Sequence, residues 1–162
     1  MKIRKTTHAD IDPIMNIYKE AKEFMTQTGN PDQWTANYPT SDLIEDDIAE
    51  GNSYVCLDKN NDILATFYFV VGLESTYGFI IGDWINEKSY GVIHRIAVKS
   101  HTKSIGTFCL NWALEQCKNI KIDTHIANIP MQKTLKKNNY QYCGMIWVED
   151  GTQRLAFQKS IL

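Results

Sequence analysis

The sequence predicts an α/β fold of the α+β type, in which central strands of a mixed sheet run into helices and the remaining strands pair as hairpins. Three observations predict it. Apolar residues recur at helical spacing in the N-terminal segment and again after residues 105 and 128. Twice, at 54–71 and at 141–158, two apolar runs flank a polar turn. Finally, the apolar run at 91–98 passes through a short polar turn directly into a long amphipathic stretch.

In chain order, Ile3 opens a short strand. Thr7-His8-Ala9-Asp10 has the form of a capping signal ahead of Ile11, Ile14, Met15, Ile17, Tyr18, Ala21 and Phe24, which share a helix face. Pro13 fits only the first turn of that helix. Residues 28–40, with Gly29, Pro31, Trp34, Tyr38 and Pro39, read as an ordered loop, because Trp and Tyr call for burial or a ligand; it could wall a substrate site. Ser41 is the expected cap of a second helix over 42–50, with Leu43, Ile44 and Ile48 inward and its acids outward. Gly51-Asn52 ends it. Residues 54–57 and 63–71 form an antiparallel hairpin. Residues 73–90 mix aromatic residues, two glycines and Asp83-Trp84 without one period, and read as a short strand plus loop. There follow a strand at 91–98, a helix from about 105 to 118, a strand over 120–126 and a helix from Asn128 to Asn138-Asn139. A second hairpin, 141–148 with 154–158, closes the chain.

At 162 residues the chain fits one domain, 1–162, large enough to bury roughly two-thirds of its unfolded surface. A net charge of −2 gives no basic footprint for nucleic acid. No apolar run approaches the roughly 18 residues of a membrane span. The expected partner is therefore a small molecule or peptide, with no nucleic acid and no membrane. The basic start Met1-Lys2-Ile3-Arg4-Lys5-Thr6 leads into polar residues and does not read as a secretory signal. Cys56, Cys109, Cys117 and Cys143 are widely spaced, without Cys-x-x-Cys, so reduced thiols in a cytoplasm are expected.

The stretch at 91–107 carries the first chemical signal. A strand, a polar turn and a helix start expose backbone N–H groups at the positive end of a helix dipole, which holds phosphate without any required side chain. A phosphate-bearing cofactor follows.

Three motifs then narrow the class: Ile96-Ala97-Val98 followed by Ile105-Gly106-Thr107, Asn128 at the end of Asp123-Thr124-His125-Ile126-Ala127-Asn128, and Lys137-Asn138-Asn139-Tyr140-Gln141-Tyr142 at a helix end. With these motifs in this order, the chain resembles the GNAT superfamily of N-acetyltransferases from Met1 to Lys159. The resemblance implies a mixed central sheet of six to seven strands flanked by about four helices and splayed at the cofactor-binding strand. It implies acetyl-CoA as co-substrate and direct transfer of its acetyl group to a primary amine of a small molecule or peptide. The main chain at Ile96, Ala97 and Val98 would pair with the pantetheine arm as an added strand. Lys103, Ser104, Ile105, Gly106 and Thr107 would hold the pyrophosphate, and Asn128 would contact the arm while capping the following helix ahead of Pro130.

The chain departs from the family pattern at two places. The loop signature Arg/Gln-x-x-Gly-x-Gly/Ala falls on His101-Thr102-Lys103-Ser104-Ile105-Gly106, where only Gly106 matches. Ser104 is tolerable there if its backbone avoids positive φ, and His101 and Lys103 could add positive charge. The tyrosine that often protonates the leaving thiolate falls on Leu135, and Asn139-Tyr140 stands where Gly-Phe is usual. Tyr140, Tyr142 or water is left as donor, and a thiol of pKa near ~8.5 is a fair leaving group without one. The attacking ammonium, pKa near ~10.4, must first lose a proton. His94 and His125 are the candidate bases, Asp123 is a further base or a partner orienting a histidine, and a backbone N–H near Ile96 could hold the oxyanion.

Other chemistries lack their signatures. His8, His94, His101 and His125 have no paired ligand spacing, so no metal is expected, and neither a P-loop nor a dinucleotide fingerprint occurs. Cys109 and Cys117 read as core residues. Asp42, Glu45, Asp46, Asp47 and Glu50 either attract a cationic amine or form a solvated helix face. Trp34, Tyr38 and Trp84 either wall the substrate or pin loops. A second reading keeps acyl-CoA binding without turnover, as a sensor or interaction module. The last hairpin, if exposed, could support a homodimer.

Overall fold

The computed structural model describes residues 1–35, 37–100 and 102–162. The apolar alternations close into one sheet, with β1 (Lys2–Lys5), β2 (Ser53–Leu57), β3 (Ile63–Val71), β4 (Ile81–Gly82), β5 (Gly91–Val98), β6 (Asn119–Thr124), β7 (Gln141–Trp147) and β8 (Gln153–Ser160). Four helices accompany it: α1 (Ile11–Gln27), α2 (Ser41–Ala49), α3 (Ile105–Cys117) and α4 (Ile129–Lys137). The strand order is β1-β2-β3-β5-β6-β8-β7-β4. Only β5 and β6 pair in parallel among these neighbours, as the α3 crossover between them requires.

Side chains alternate across the sheet and so divide the core. On one face, α3 and Leu135 of α4 pack on Cys56, Ala65, Phe67, Ile93, Ile120, Ile122 and Phe157. On the other, Ile14, Ile17 and Tyr18 of α1 and Ile44 of α2 pack on Val55, Leu57 and Ala97, with Trp34 from the intervening loop. Over β8 and β7 that second face is covered by Tyr77 and Tyr90, which meet Val92, Ile146 and Ala156.

The sheet has eight strands rather than six to seven. The short strand read within 73–90 is β4, only two residues long, and it takes the count above the six to seven that the resemblance implied; it is held by backbone proximity. Gly82 and Gly144 are paired at φ +129° and +141°, and a Cβ on either would stand 2.1 Å from a carbonyl oxygen of the opposite strand. Two boundaries also move. Thr40, not Ser41, caps α2, its Oγ1 accepting from the Leu43 N–H at 3.2 Å. β6 stops at Thr124 instead of residue 126, because the His125 carbonyl accepts from the Asn128 N–H and turns the chain. Among the described residues no helix is long and apolar enough to cross a membrane.

Candidate active site

Two irregularities in β5 make room for a site. Thr66 pairs with Ala97 and Tyr68 with His94, so Phe67 alone faces both Arg95 and Ile96, and Arg95 takes φ +52°. This is a β-bulge, which bends its strand. On the other edge, β5 pairs with β6 at Gly91–Ile120 and Val92–Lys121 alone. Beyond that the two central strands part.

Clefts open on both sides of the parting. The first, about 590 Å³, lies between the second half of α1, the end of β5, and α3 and α4; Phe24, Val98, Gly106, Leu110, Met131 and Thr134 line it. The second, about 670 Å³, is walled by α2, Gln33, Trp34, Thr35 and Tyr38, the Glu74 turn, β6 and the β7–β8 turn. Met25, Ile96, Asn128 and Met131 belong to both, so the clefts meet over the bulged strand.

At the start of α3, Ser104 has φ +65°, and its side chain does not cap the helix. The condition under which Ser104 is tolerable in place of glycine is not met: the left-handed conformation persists although glycine does not. Gly106 faces open space, since a Cβ there would find only Val98 Cγ2, at 3.9 Å. Lys103 is exposed, and His101 lies outside the described residues. Asn128 does cap α4: its Oδ1 accepts from the Met131 N–H at 3.1 Å, while its Nδ2 donates to Gln33 Oε1 at 2.9 Å.

His94 lines the second cleft, half-buried, with Nε2 2.9 Å from Glu74 Oε2. This contact, with help from the Thr76 N–H and hydroxyl, holds the Glu74 carboxyl down to about 2. Asp123 also lines the cleft and accepts from Tyr77 Oη at 2.7 Å; burial first and then Asp123 push the Tyr77 hydroxyl well up. His125 lines neither cleft. Its Nδ1 accepts from the Ala127 N–H at 3.0 Å, and burial and then Arg154 push its imidazole down. Tyr140 is 4% exposed in the α3 face of the core, away from both clefts, its hydroxyl without a partner and pushed up by burial. Leu135 is fully buried beside it, and Tyr142 is exposed on the outer hairpin. The structure thus brings His94 and Asp123 to the cleft, and neither His125, Tyr140 nor Tyr142.

Among the α2 acids, Asp46, Asp47 and Glu50 line the second cleft and Asp42 and Glu45 do not. Asp47 pairs with Arg95, whose Nη1 also donates to Tyr38 Oη at 3.3 Å and whose guanidinium lies 4.9 Å from the Tyr68 ring centre. Burial pushes the Asp47 carboxyl up, against the pull of Arg95. Trp34 and Tyr38 wall the cleft, whereas Trp84 is pinned outside it, donating to the Tyr77 carbonyl and stacked near Lys121 Nζ. Sequence reading missed Glu74, Arg95, Thr124 and Gln33. Only Arg95 left a signal there: a guanidinium inside an apolar strand requires a partner.

No family model matches the chain, and no curated protein matches it. Solved structures do. An acetyltransferase of the GNAT family from Streptococcus agalactiae 2603 is 31% identical, with a TM-score of 0.91 over 99% of this chain and 95% of that one. A GNAT-family acetyltransferase from Listeria monocytogenes 4b F2365 shares the fold at TM-score 0.72 and 14% identity, over 99% and 94% of the two chains. So does a GNAT-superfamily phosphinothricin acetyltransferase from Sinorhizobium meliloti, solved in complex with AcCoA, at TM-score 0.64 and 14% identity over 98% and 87%.

Proposed function

The chain belongs to the GNAT family of acetyltransferases, and from that premise we propose that it transfers an acetyl group from acetyl-CoA directly to a primary amine of a small molecule or peptide. The observation that carries this reading is the parting of β5 from β6, with two clefts meeting at Ile96 and Asn128. One cleft suits the thioester's carrier and the other the amine.

The first cleft fits coenzyme A. Helix α3 starts without a side-chain cap, so its first N–H groups are available to an anion, and Gly106 leaves the approach open. Ile96, Ala97 and Val98 would offer main-chain groups to the pantetheine arm, beside apolar Leu110 and Met131. Lys103, Ser104, Ile105 and Thr107 would surround the pyrophosphate, and Asn128 would border the arm. Acetyl-CoA supplies the thioester carbonyl when bound.

His94 is the base in this reading. Its Nε2–H donates to the ionised Glu74 carboxylate, which leaves Nδ1 as the acceptor for the amine proton. Glu74 then stabilises the imidazolium, and a backbone N–H near Ile96 holds the oxyanion. No acid from α4 is needed, since Leu135 occupies that place and the thiolate leaves unaided.

Thiol release with acetyl-CoA and a panel of amines, amino acids and peptide N-termini, with products weighed by mass spectrometry, tests the proposal. Amine-dependent release with an acetylated product is the expected result. Binding of acetyl-CoA with no amine-dependent release overturns it.

A further inference from the structure

The second cleft is lined by seven carboxylates and two guanidinium groups. Arg95 is paired with Asp47, and Arg154, buried, donates to Thr152 Oγ1 and to the Gln153 and Gln33 carbonyls, so seven carboxylates face two guanidinium groups and the cleft is net negative. Among the described residues, Asp46, Glu50, Glu149 and Asp150 have no ion-pair partner, and all four are exposed. Asp46 on α2 and Glu50 at its C-cap stand at one side of the cleft, Glu149 and Asp150 on the β7–β8 turn at the other. Such a mouth concentrates cations and repels a carboxylate.

A second, independent observation lies deeper. Thr124, at the end of β6 where β5 has parted from it, is 1% exposed and lines the same cleft, yet its Oγ1 has no hydrogen-bond partner. A buried hydroxyl left unpaired is a standing cost, removed when a ligand supplies a donor or acceptor.

The chemistry of the transfer separates the two observations. The attacking nitrogen must be neutral when the N–C bond forms and the C–S bond breaks, with the amine proton passing to His94 Nδ1 and the C–S electron pair leaving on the thiolate. The carboxylates at the mouth therefore gain nothing lasting from the reacting nitrogen. They favour a substrate that keeps a positive charge elsewhere. Resting on the acetyltransferase reading above, we infer that the acceptor is an aliphatic polycation of the diamine class, its reacting nitrogen hydrogen-bonded to Thr124 Oγ1 and a second ammonium group in the field of Asp46, Glu50, Glu149 and Asp150.

Three substrates of matched length test this on the intact protein: 1,4-diaminobutane, pentylamine and 5-aminopentanoate, whose far ends are cationic, neutral and anionic. The diamine is expected to exceed pentylamine in kcat/KM by about tenfold at low salt, with 5-aminopentanoate lowest, and the margin is expected to shrink as salt rises. In Asp46→Asn/Glu50→Gln, the ratio of diamine to monoamine is expected to fall several-fold. Thr124→Val is expected to raise the thermal midpoint of the ligand-free protein while lowering kcat/KM about tenfold, a pair of effects that a merely structural threonine does not give. Equal rates for the three amines, or a preference for the anion, overturn the substrate class and leave the acetyltransferase reading standing. Failure of every amine with acetyl-CoA bound overturns both. A Thr124→Val variant with unchanged kcat/KM removes Thr124 from the site.

Discussion

Glu74 Oε2 meets His94 Nε2 at 2.9 Å, joining a turn after β3 to the middle of β5. The carboxylate fixes which ring nitrogen carries the proton. Glu74→Gln is expected to lower kcat about ten- to a hundredfold with KM for acetyl-CoA little changed, because the imidazole loses its orienting anion. His94→Gln is expected to lose still more. Steady-state kinetics at neutral pH checks both, and a Glu74→Gln enzyme as fast as the parent removes the dyad from the mechanism.

Ser104 begins α3 at φ +65°, where a Cβ is unfavourable. Ser104→Gly relieves that strain but loosens the unfolded chain, leaving a net gain of about 0.5–1 kcal/mol. A thermal midpoint raised by roughly 1–4 °C is the expected reading. No rise means that the left-handed turn carries no strain.

Asp47 and Arg95 are paired with side chains 7% and 10% exposed. Asp47→Ala leaves a guanidinium buried without its counter-charge, a loss of about 3–5 kcal/mol. Urea unfolding measures it, and a change below about 1 kcal/mol shows the pair to be solvated.

Asp10 is held down to about 2, first by its hydrogen bonds from Arg4 and then by those from Thr7, against desolvation. Its folded value lies below the roughly 3.9 of an unfolded aspartate, so it stabilises the fold fully above about pH 4. That contribution, about 1–2 kcal/mol after allowing for the half-exposed Arg4, is lost as pH falls from about 4 through 2. Glu74 acts in the same sense and over the same range. Unfolding free energies from pH 6 to pH 2 should decline more shallowly for Asp10→Asn than for the parent.

Elements whose burial produces a period were legible in the sequence. β5 spans 91–98 as read, because a strand covered on both faces is a continuous apolar run, and Asn128 caps α4 because N-cap chemistry is local. The bulge at Arg95 was not, since an extra residue in one strand appears only against its partner. Glu74 lay in a stretch without period and acquires meaning only when the sheet brings His94 to it. Tyr140 shows the converse. Its place after the α4 helix suggested a proton donor, but the turn that ends α4, where the Tyr140 N–H donates to the Leu135 carbonyl, sets it in the core beside Leu135.

The two side-chain bonds of Asn128 bear on the order in which the molecule assembles. One reaches three residues ahead to Met131, the other 95 residues back to Gln33. Gln33 is also tied to Arg154, 121 residues away, and Tyr18 to Arg95, 77 away. The hairpins β2–β3 and β7–β8 close short loops, whereas the walls of the clefts are joined by contacts of high contact order, whose loop-closure entropy delays them. On refolding from urea, far-UV circular dichroism should recover before acetyl-CoA binding does. Simultaneous recovery would show that the clefts form together with the hairpins. If binding lags as expected, the chain acquires its secondary structure before its clefts can engage a ligand.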